Sequence, residues 1–121
     1  MSADKTILVI GTYDTKDDEL SYLAGCITAQ GGGVLRMDVS VLGNPVSPVD
    51  ITKAQVAQAG GSSIEAAMTC GDENTAMQIM ARGAAAEALR LYQAGAVDGV
   101  IALGGTMGTD LALDVCAALP L

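Results

Sequence analysis

The sequence contains no histidine, no phenylalanine and no tryptophan, and these absences narrow the chemistry open to it. Without histidine the chain lacks the commonest general base and the commonest transition-metal ligand. Basic residues are also scarce, because six Lys and Arg stand against 14 Asp and Glu, for a net charge of −8. They form no cluster that would grip a nucleic-acid backbone. We therefore expect no nucleic-acid partner.

Long apolar runs and paired cysteines are missing as well. The longest apolar stretch, residues 115–119, is far shorter than the roughly 20 residues that span a membrane. The first five residues lack the basic start of a signal peptide. Cys26, Cys70 and Cys116 have neither metal-ligand nor redox spacing, so we expect reduced, mostly buried thiols. These features favour a cytoplasmic protein without a membrane partner.

What the chain does have is small aliphatic residues arranged in alternating strands and helices. Half of its 121 residues are apolar, which suits a single α/β domain over residues 1–121 with helices laid closely on a parallel sheet. Strands are predicted at residues 6–10, 34–41 and 99–103. Helices are predicted at residues 15–30, 53–59, 72–93 and 109–119, with 60–71 left open. The chain stops where a next strand would begin, so we expect it to be the front part of a longer protein.

The loop after the first strand is the first candidate for binding an anion, since ligands of parallel sheets bind beyond the carboxyl ends of the strands. Gly11 permits a sharp turn, and Thr12 and Thr15 offer hydroxyl groups. Lys16, the only cation beside a predicted strand end, can act as a point charge on a phosphate. On composition alone an ordinary helix start, capped by Asp14 or Thr15 and carrying a solvated lysine, explains this loop better.

The loop after the third strand carries the stronger signal. Gly104, Gly105 and Gly108 let backbone amides approach an anion closely, and Thr106 and Thr109 add hydroxyl groups. A tight turn would need one or two of these glycines but not all three with two threonines. The loop matches neither the Walker pattern nor the G-x-G-x-x-G pattern of dinucleotide-binding proteins.

Three further residues carry weaker hypotheses. Asp38, near the end of the second strand, and Asp72, before the long helix, could contact a ribose or a magnesium-bound water. A strand-end turn and a helix cap explain them without any ligand. Tyr13 could stack on a base or could be an exposed loop tyrosine.

These pieces resemble a known family: the N-terminal part of the ATP-binding family that includes the tomato mosaic virus resistance protein, most of whose bacterial and fungal members have no known function. The matching residues are 11–16, 38–40, 48–51, 56–57, Gly83, 99–109 and 119–120. Thr106 stands where the family usually has Ser, and residues 71–74 lack a basic residue often found there.

The resemblance implies a Rossmann-like, three-layer αβα domain with a small parallel sheet, at the start of a two-domain protein. It implies ATP with magnesium as ligand, and self-association into a homo-oligomer. It places the nucleotide on both loops, at Gly11, Thr12, Asp14, Thr15, Lys16, Gly104, Gly105, Thr106, Gly108 and Thr109.

Two other functions stay open. Residues 98–106 with Asp110 are similar to the pyrophosphate loop of iron-dependent alcohol dehydrogenases, which would make the ligand NAD or NADP. An acidic surface and Ala-rich helices also suit a non-catalytic self-association module. Neither loop holds a recognisable nucleophile–base pair, so no reaction is assigned.

Overall fold

The predicted alternation of strands and helices is present in the computed structural model, which describes residues 5–13, 16–41, 43, 48–69 and 71–103. The strands are β1 (Thr6–Gly11), β2 (Gly33–Asp38) and β3 (Gly99–Leu103). The helices are α1 (Asp17–Ala29), α2 (Lys53–Ala59), α3 (Ile64–Thr69) and α4 (Glu73–Gln93). The predicted helix at 109–119 lies outside the described residues.

The three strands form a parallel sheet in the order β2-β1-β3. β1 therefore occupies the middle, and its last residue, Gly11, pairs with Asp38 on one side and with Leu103 on the other. The α/β class with a small parallel sheet is confirmed.

Alternate residues of β1 face two separate cores. Leu8 and Ile10 join the larger core, which α2, α3 and α4 cover from one side of the sheet. Val9 joins a smaller core with Tyr13 and with Leu20 of α1 on the other side. Because side chains of a strand alternate between its faces, this split gives the three-layer arrangement of helix, sheet and helix.

The larger core relies on glycine where α2 crosses α4. A Cβ atom added at Gly83 of α4 would overlap the carbonyl oxygen of Val56 in α2, and one added at Gly60 would overlap the carbonyl oxygen of Ile79. The two helix backbones are thus in direct contact. This explains how a chain without Phe or Trp still closes a tight core.

The predicted capping residues agree with the observed start of one helix and disagree with that of another. Thr52 and Gln55 form a reciprocal capping box, which confirms the predicted α2. In the segment left open, α3 forms after Ser63, whose side-chain oxygen accepts the N–H of Ala66 at 3.1 Å. The predicted N-cap of the first helix was wrong, because the cap residue of α1 is Lys16, which provides no side-chain cap.

Two other expectations are corrected or narrowed. The second strand ends at Asp38 rather than at residue 41. Cys26, the cysteine that the structure describes, is exposed on α1 and not buried.

In the described part of the chain, no helix is both long and apolar enough to cross a membrane.

Candidate functional site

The carboxyl ends of β1 and β3 meet at the point where the chain changes direction in the sheet. From β1 the chain passes through α1 to β2 on one side, and β3 pairs with β1 on the opposite side. Such a switch point opens a crevice between two loops, where ligands of parallel sheets bind. Because Gly11 pairs with Leu103, the two candidate loops leave the sheet from neighbouring strand ends.

Only part of the two loops lies within the described residues. Gly11, Thr12 and Lys16 are described, whereas Asp14 and Thr15 are not. The glycine-rich segment also lies outside the described residues, with all five of its candidates: Gly104, Gly105, Thr106, Gly108 and Thr109. What the structure establishes for that segment is its starting point, directly after Leu103.

Gly11 is needed for close packing rather than for a sharp turn. Its φ angle is not positive, in contrast to four other glycines among the described residues. A Cβ atom here would lie 2.7 Å from both Cδ atoms of Leu20 and 3.0 Å from the carbonyl oxygen of Leu103. The missing side chain lets α1 begin close to the strand end, and so brings the start of this helix to the switch point.

Lys16 stands directly before α1, at the cap position of the helix. Its N–H donates to the carbonyl oxygen of Thr12 at 2.8 Å, which closes the turn that leads into the helix. The Lys16 ammonium lies 3.7 Å from a carboxylate oxygen of Glu19, and 43% of the lysine side chain is exposed. An ion pair this exposed is weak and easily exchanged, so Lys16 can turn to an incoming anion.

Asp38 ties the end of β2 to the loop after β1. Its side chain is fully buried, and its Oδ1 atom accepts the N–H of Tyr13 at 3.3 Å and the N–H of Ser40 at 3.0 Å. The N–H of Val39 donates to the carbonyl oxygen of Gly11 at 3.0 Å. Asp38 is thereby placed as a support of the loop, and its contact with a ribose stays a prediction.

Tyr13 is a core residue, and both interpretations of it were wrong. Its ring is fully buried with Val9 and Leu20, and its hydroxyl donates to the carbonyl oxygen of Val9 at 3.0 Å. Burial raises the pKa of the Tyr13 phenol well above its ordinary value, so the group stays neutral. Tyr13 therefore neither stacks on a base nor lies exposed. Its buried ring anchors the loop after β1 to the smaller core.

Lys53 is a second cation at this edge, which the sequence analysis missed. Ile51 pairs in parallel with Met37 along the outer side of β2, so the chain reaches Lys53 at the carboxyl edge of the sheet. The Lys53 ammonium donates to the carbonyl oxygen of Val41 at 3.3 Å and to that of Gly43. The capping box indicated where α2 begins, but no local signal revealed the pairing of Ile51.

Asp72 behaves as a residue of the helix start. Its Oδ2 atom accepts the hydroxyl hydrogen of Thr75 at 2.7 Å, and its carbonyl oxygen accepts the N–H of Ala76 at 3.1 Å. Across the described residues, no three or more Cys, Asp and Glu side chains are grouped so that they could hold a metal ion.

Comparison with known proteins identifies relatives but no activity. A family model described as "Uncharacterised protein family (UPF0261) N-terminal domain" matches residues 5–121. A UPF0261 protein of Brucella suis biovar 1 (strain 1330) is 53% identical over 115 residues, which cover 95% of this chain and 28% of that protein. A UPF0261 protein of Clostridium tetani (strain Massachusetts / E88) is 37% identical over 116 residues, covering 96% of this chain and 29% of its own length.

A third relative shows the same coverage. A UPF0261 protein of Rhizobium meliloti (strain 1021) is 37% identical over 117 residues, covering 97% of this chain and 28% of its own length. The chain thus spans less than a third of the relatives it matches. None of these descriptions names ATP or virus resistance, so that part of the resemblance stays a prediction.

Proposed function

The chain belongs to the UPF0261 family, whose N-terminal domain it matches, and from this premise and the geometry of the sheet we propose that it binds ATP. The nucleotide's phosphate groups lie at the switch point, between the loop after β1 and the glycine-rich segment after Leu103.

The observation that carries this proposal is the pairing of Gly11 with Leu103. With the close packing of Leu20 on Gly11, this pairing brings the first turn of α1 close to Leu103, which the glycine-rich segment follows in the sequence. The amino end of a helix carries a partial positive charge and N–H groups that suit phosphate oxygens. Segment 104–109 supplies further backbone N–H groups and two threonine hydroxyls, so the two candidate loops complement each other at one position.

Acidic residues at the same helix start support magnesium as part of the ligand. Asp17, Asp18 and Glu19 form the first turn of α1, and the whole chain carries a net charge of −8. A bare triphosphate would be repelled here, whereas magnesium neutralises part of its charge and prefers oxygen ligands. Lys16 adds a positive charge beside these carboxylates. We therefore expect ATP to bind more tightly with magnesium than without it.

Calorimetric titration of the protein with ATP, with and without magnesium, tests the proposal. Lys16→Ala should weaken binding about threefold to tenfold, as expected for a partly exposed charged contact. Gly105→Val should weaken it further, because a branched side chain would block the close approach of phosphate to the backbone. Lys5→Ala is the matched control, since Lys5 precedes β1 at the opposite edge of the sheet.

Four results would overturn or redirect the proposal. Absence of binding to the wild-type protein would end it, as would equal affinities of the Lys16→Ala, Gly105→Val and Lys5→Ala variants. Thermal stabilisation by NAD or NADP in preference to ATP would support the dehydrogenase-like alternative. A stable oligomer in light scattering that ignores all nucleotides would support the self-association module.

A further inference from the structure

Ser40 is a buried polar residue at the carboxyl edge of the sheet that the proposed phosphate site does not use. It lies two residues beyond the end of β2 and is 2% exposed. Its backbone N–H shares the Oδ1 atom of Asp38 with the N–H of Tyr13, so Ser40 and the loop after β1 converge on one atom. Ser40 is thus held directly beside the candidate nucleotide site.

The hydroxyl of Ser40 has no hydrogen-bond partner among the residues that the structure describes. A buried hydroxyl without a partner destabilises a protein, because it has lost its bonds to water and gained none in return. Such groups are rare in folded proteins and call for a specific reason. One such reason is a bound ligand that completes the hydrogen bond. The position of Ser40 beside the switch point favours this explanation.

The surrounding contacts fix Ser40 in place. Asp38 bonds to the N–H of Ser40 on one side, and the Lys53 ammonium bonds to the carbonyl oxygens of Val41 and Gly43 on the other. A backbone held between two such anchors needs little further ordering when a ligand arrives. The hydrogen bond of the Ser40 hydroxyl would also form away from water, where it is stronger.

The neighbouring Asp38 determines which part of a nucleotide fits here. A carboxyl oxygen and a phosphate oxygen are both hydrogen-bond acceptors, so a phosphate beside Asp38 would be repelled. A sugar hydroxyl can donate and accept, as the Ser40 hydroxyl can. The end of the strand beside the phosphate crevice is also where parallel-sheet proteins place the ribose of a nucleotide.

We propose that the Ser40 hydroxyl binds a ribose hydroxyl group of the nucleotide, while Asp38 positions Ser40. This inference rests on the proposed function. It assigns the sugar to the end of β2 and the phosphates to the crevice between β1 and β3.

The test compares Ser40→Ala with Ser62→Ala, a serine in the turn after α2. Ser40→Ala removes the hydroxyl but keeps the backbone N–H that bonds to Asp38. The ligand-free variant should therefore be as resistant to urea as the wild type, or more so. Its affinity for ATP should fall about fivefold to tenfold, the usual effect of one hydrogen bond. Ser62→Ala should leave ATP affinity unchanged.

Titration with 2′,3′-dideoxy-ATP identifies the partner group. The wild type should bind this analogue about as weakly as Ser40→Ala binds ATP, and Ser40→Ala should lose nothing more. If Ser40→Ala lowers the affinity for ATP and for the analogue by the same factor, the ribose contact is overturned. A Ser40→Ala variant that binds ATP as tightly as the wild type would overturn it too. If the wild type binds ATP and depends on Lys16, that failure concerns Ser40 alone; if the wild type binds no ATP, both proposals fall.

Discussion

Tyr13 and Asp38 are joined by a hydrogen bond from the backbone N–H of Tyr13 to the Oδ1 atom of Asp38, 3.3 Å long, across 25 positions of the sequence. The bond links the loop after β1 to the end of β2 inside the protein, with both residues fully buried. The shape of the candidate site therefore depends on a residue of the neighbouring strand.

Replacement of Asp38 measures this dependence. Asp38→Ala would leave two buried N–H groups, those of Tyr13 and Ser40, without their acceptor, and we expect a loss of about 2–4 kcal/mol in the free energy of unfolding. Asp38→Asn keeps an acceptor oxygen and should lose less. Urea unfolding monitored by circular dichroism gives these values. Asp50→Ala, which removes an exposed carboxylate bonded to the N–H of Arg36, should cost less than Asp38→Ala; equal losses would contradict the interpretation.

Two glycines within helices should respond in opposite ways to the same substitution. Gly83→Ala forces a methyl group against the carbonyl oxygen of Val56 and must push α2 from α4, at a cost of about 3 kcal/mol. Gly25→Ala in α1 places the methyl group in open space, where alanine should stabilise the helix by about 0.5–1 kcal/mol. Thermal unfolding of both variants checks the signs, and a tolerated Gly83→Ala would disprove the close crossing of the helices.

The contact between Gly11 and Leu20 predicts a coupled effect. Gly11→Ala should destabilise the protein by about 1–3 kcal/mol, because the new methyl group meets both Cδ atoms of Leu20. Leu20→Ala leaves a cavity but opens that space. The double variant should therefore be more stable than the sum of the single effects predicts. Strictly additive free energies of unfolding would show that Gly11 serves another purpose.

Tyr13 predicts how stability changes at alkaline pH. Burial raises the pKa of its phenol in the folded protein above the ordinary value of 10.0, so the folded state favours the neutral form. This contribution is complete below about pH 10 and is lost as the pH rises above it, because the unfolded chain then releases the proton. The urea concentration at the midpoint of unfolding should therefore decrease less between pH 8 and pH 11 in Tyr13→Phe than in the wild type.

Tyr22 provides the control for this titration. Its side chain is 73% exposed on α1, so removing its hydroxyl should leave the alkaline loss of stability as large as in the wild type. The comparison of the two variants removes the contribution of every other group that they share. Identical pH dependence in Tyr13→Phe and Tyr22→Phe would exclude the buried phenol as its source.

Local sequence signals were sufficient for much of the fold. The apolar, β-branched runs that became β1 and β3 need no distant partner to be recognised, and the spacing of Thr52 and Gln55 fixes the start of α2. Parallel pairing followed from the alternation of strands with helices. The strand order β2-β1-β3, which puts the loop after β1 at a switch point, was not predicted from the sequence.

The contents of the site were harder to predict, because long-range contacts decide them. Nothing near Tyr13 in the sequence indicates that its ring turns inward under Leu20 and Val9. The role of Lys53 depends on the pairing of Ile51 with Met37, which no local pattern encodes. Ser40 lay within a matching segment, but only the structure shows its hydroxyl buried and without a partner among the described residues.

The run of chain around Ile51 also limits how the sheet can grow. The N–H groups of Asp50 and Ile51 bond to the carbonyl oxygen of Arg36, and the N–H of Asp38 bonds to the carbonyl oxygen of Ile51. The side-chain carboxylate of Asp50 accepts the backbone N–H of Arg36. Backbone groups that an additional strand would require on the outside of β2 are thereby occupied. A foreign strand cannot pair with this end of β2 without first displacing the segment, which protects that part of the edge from aggregation.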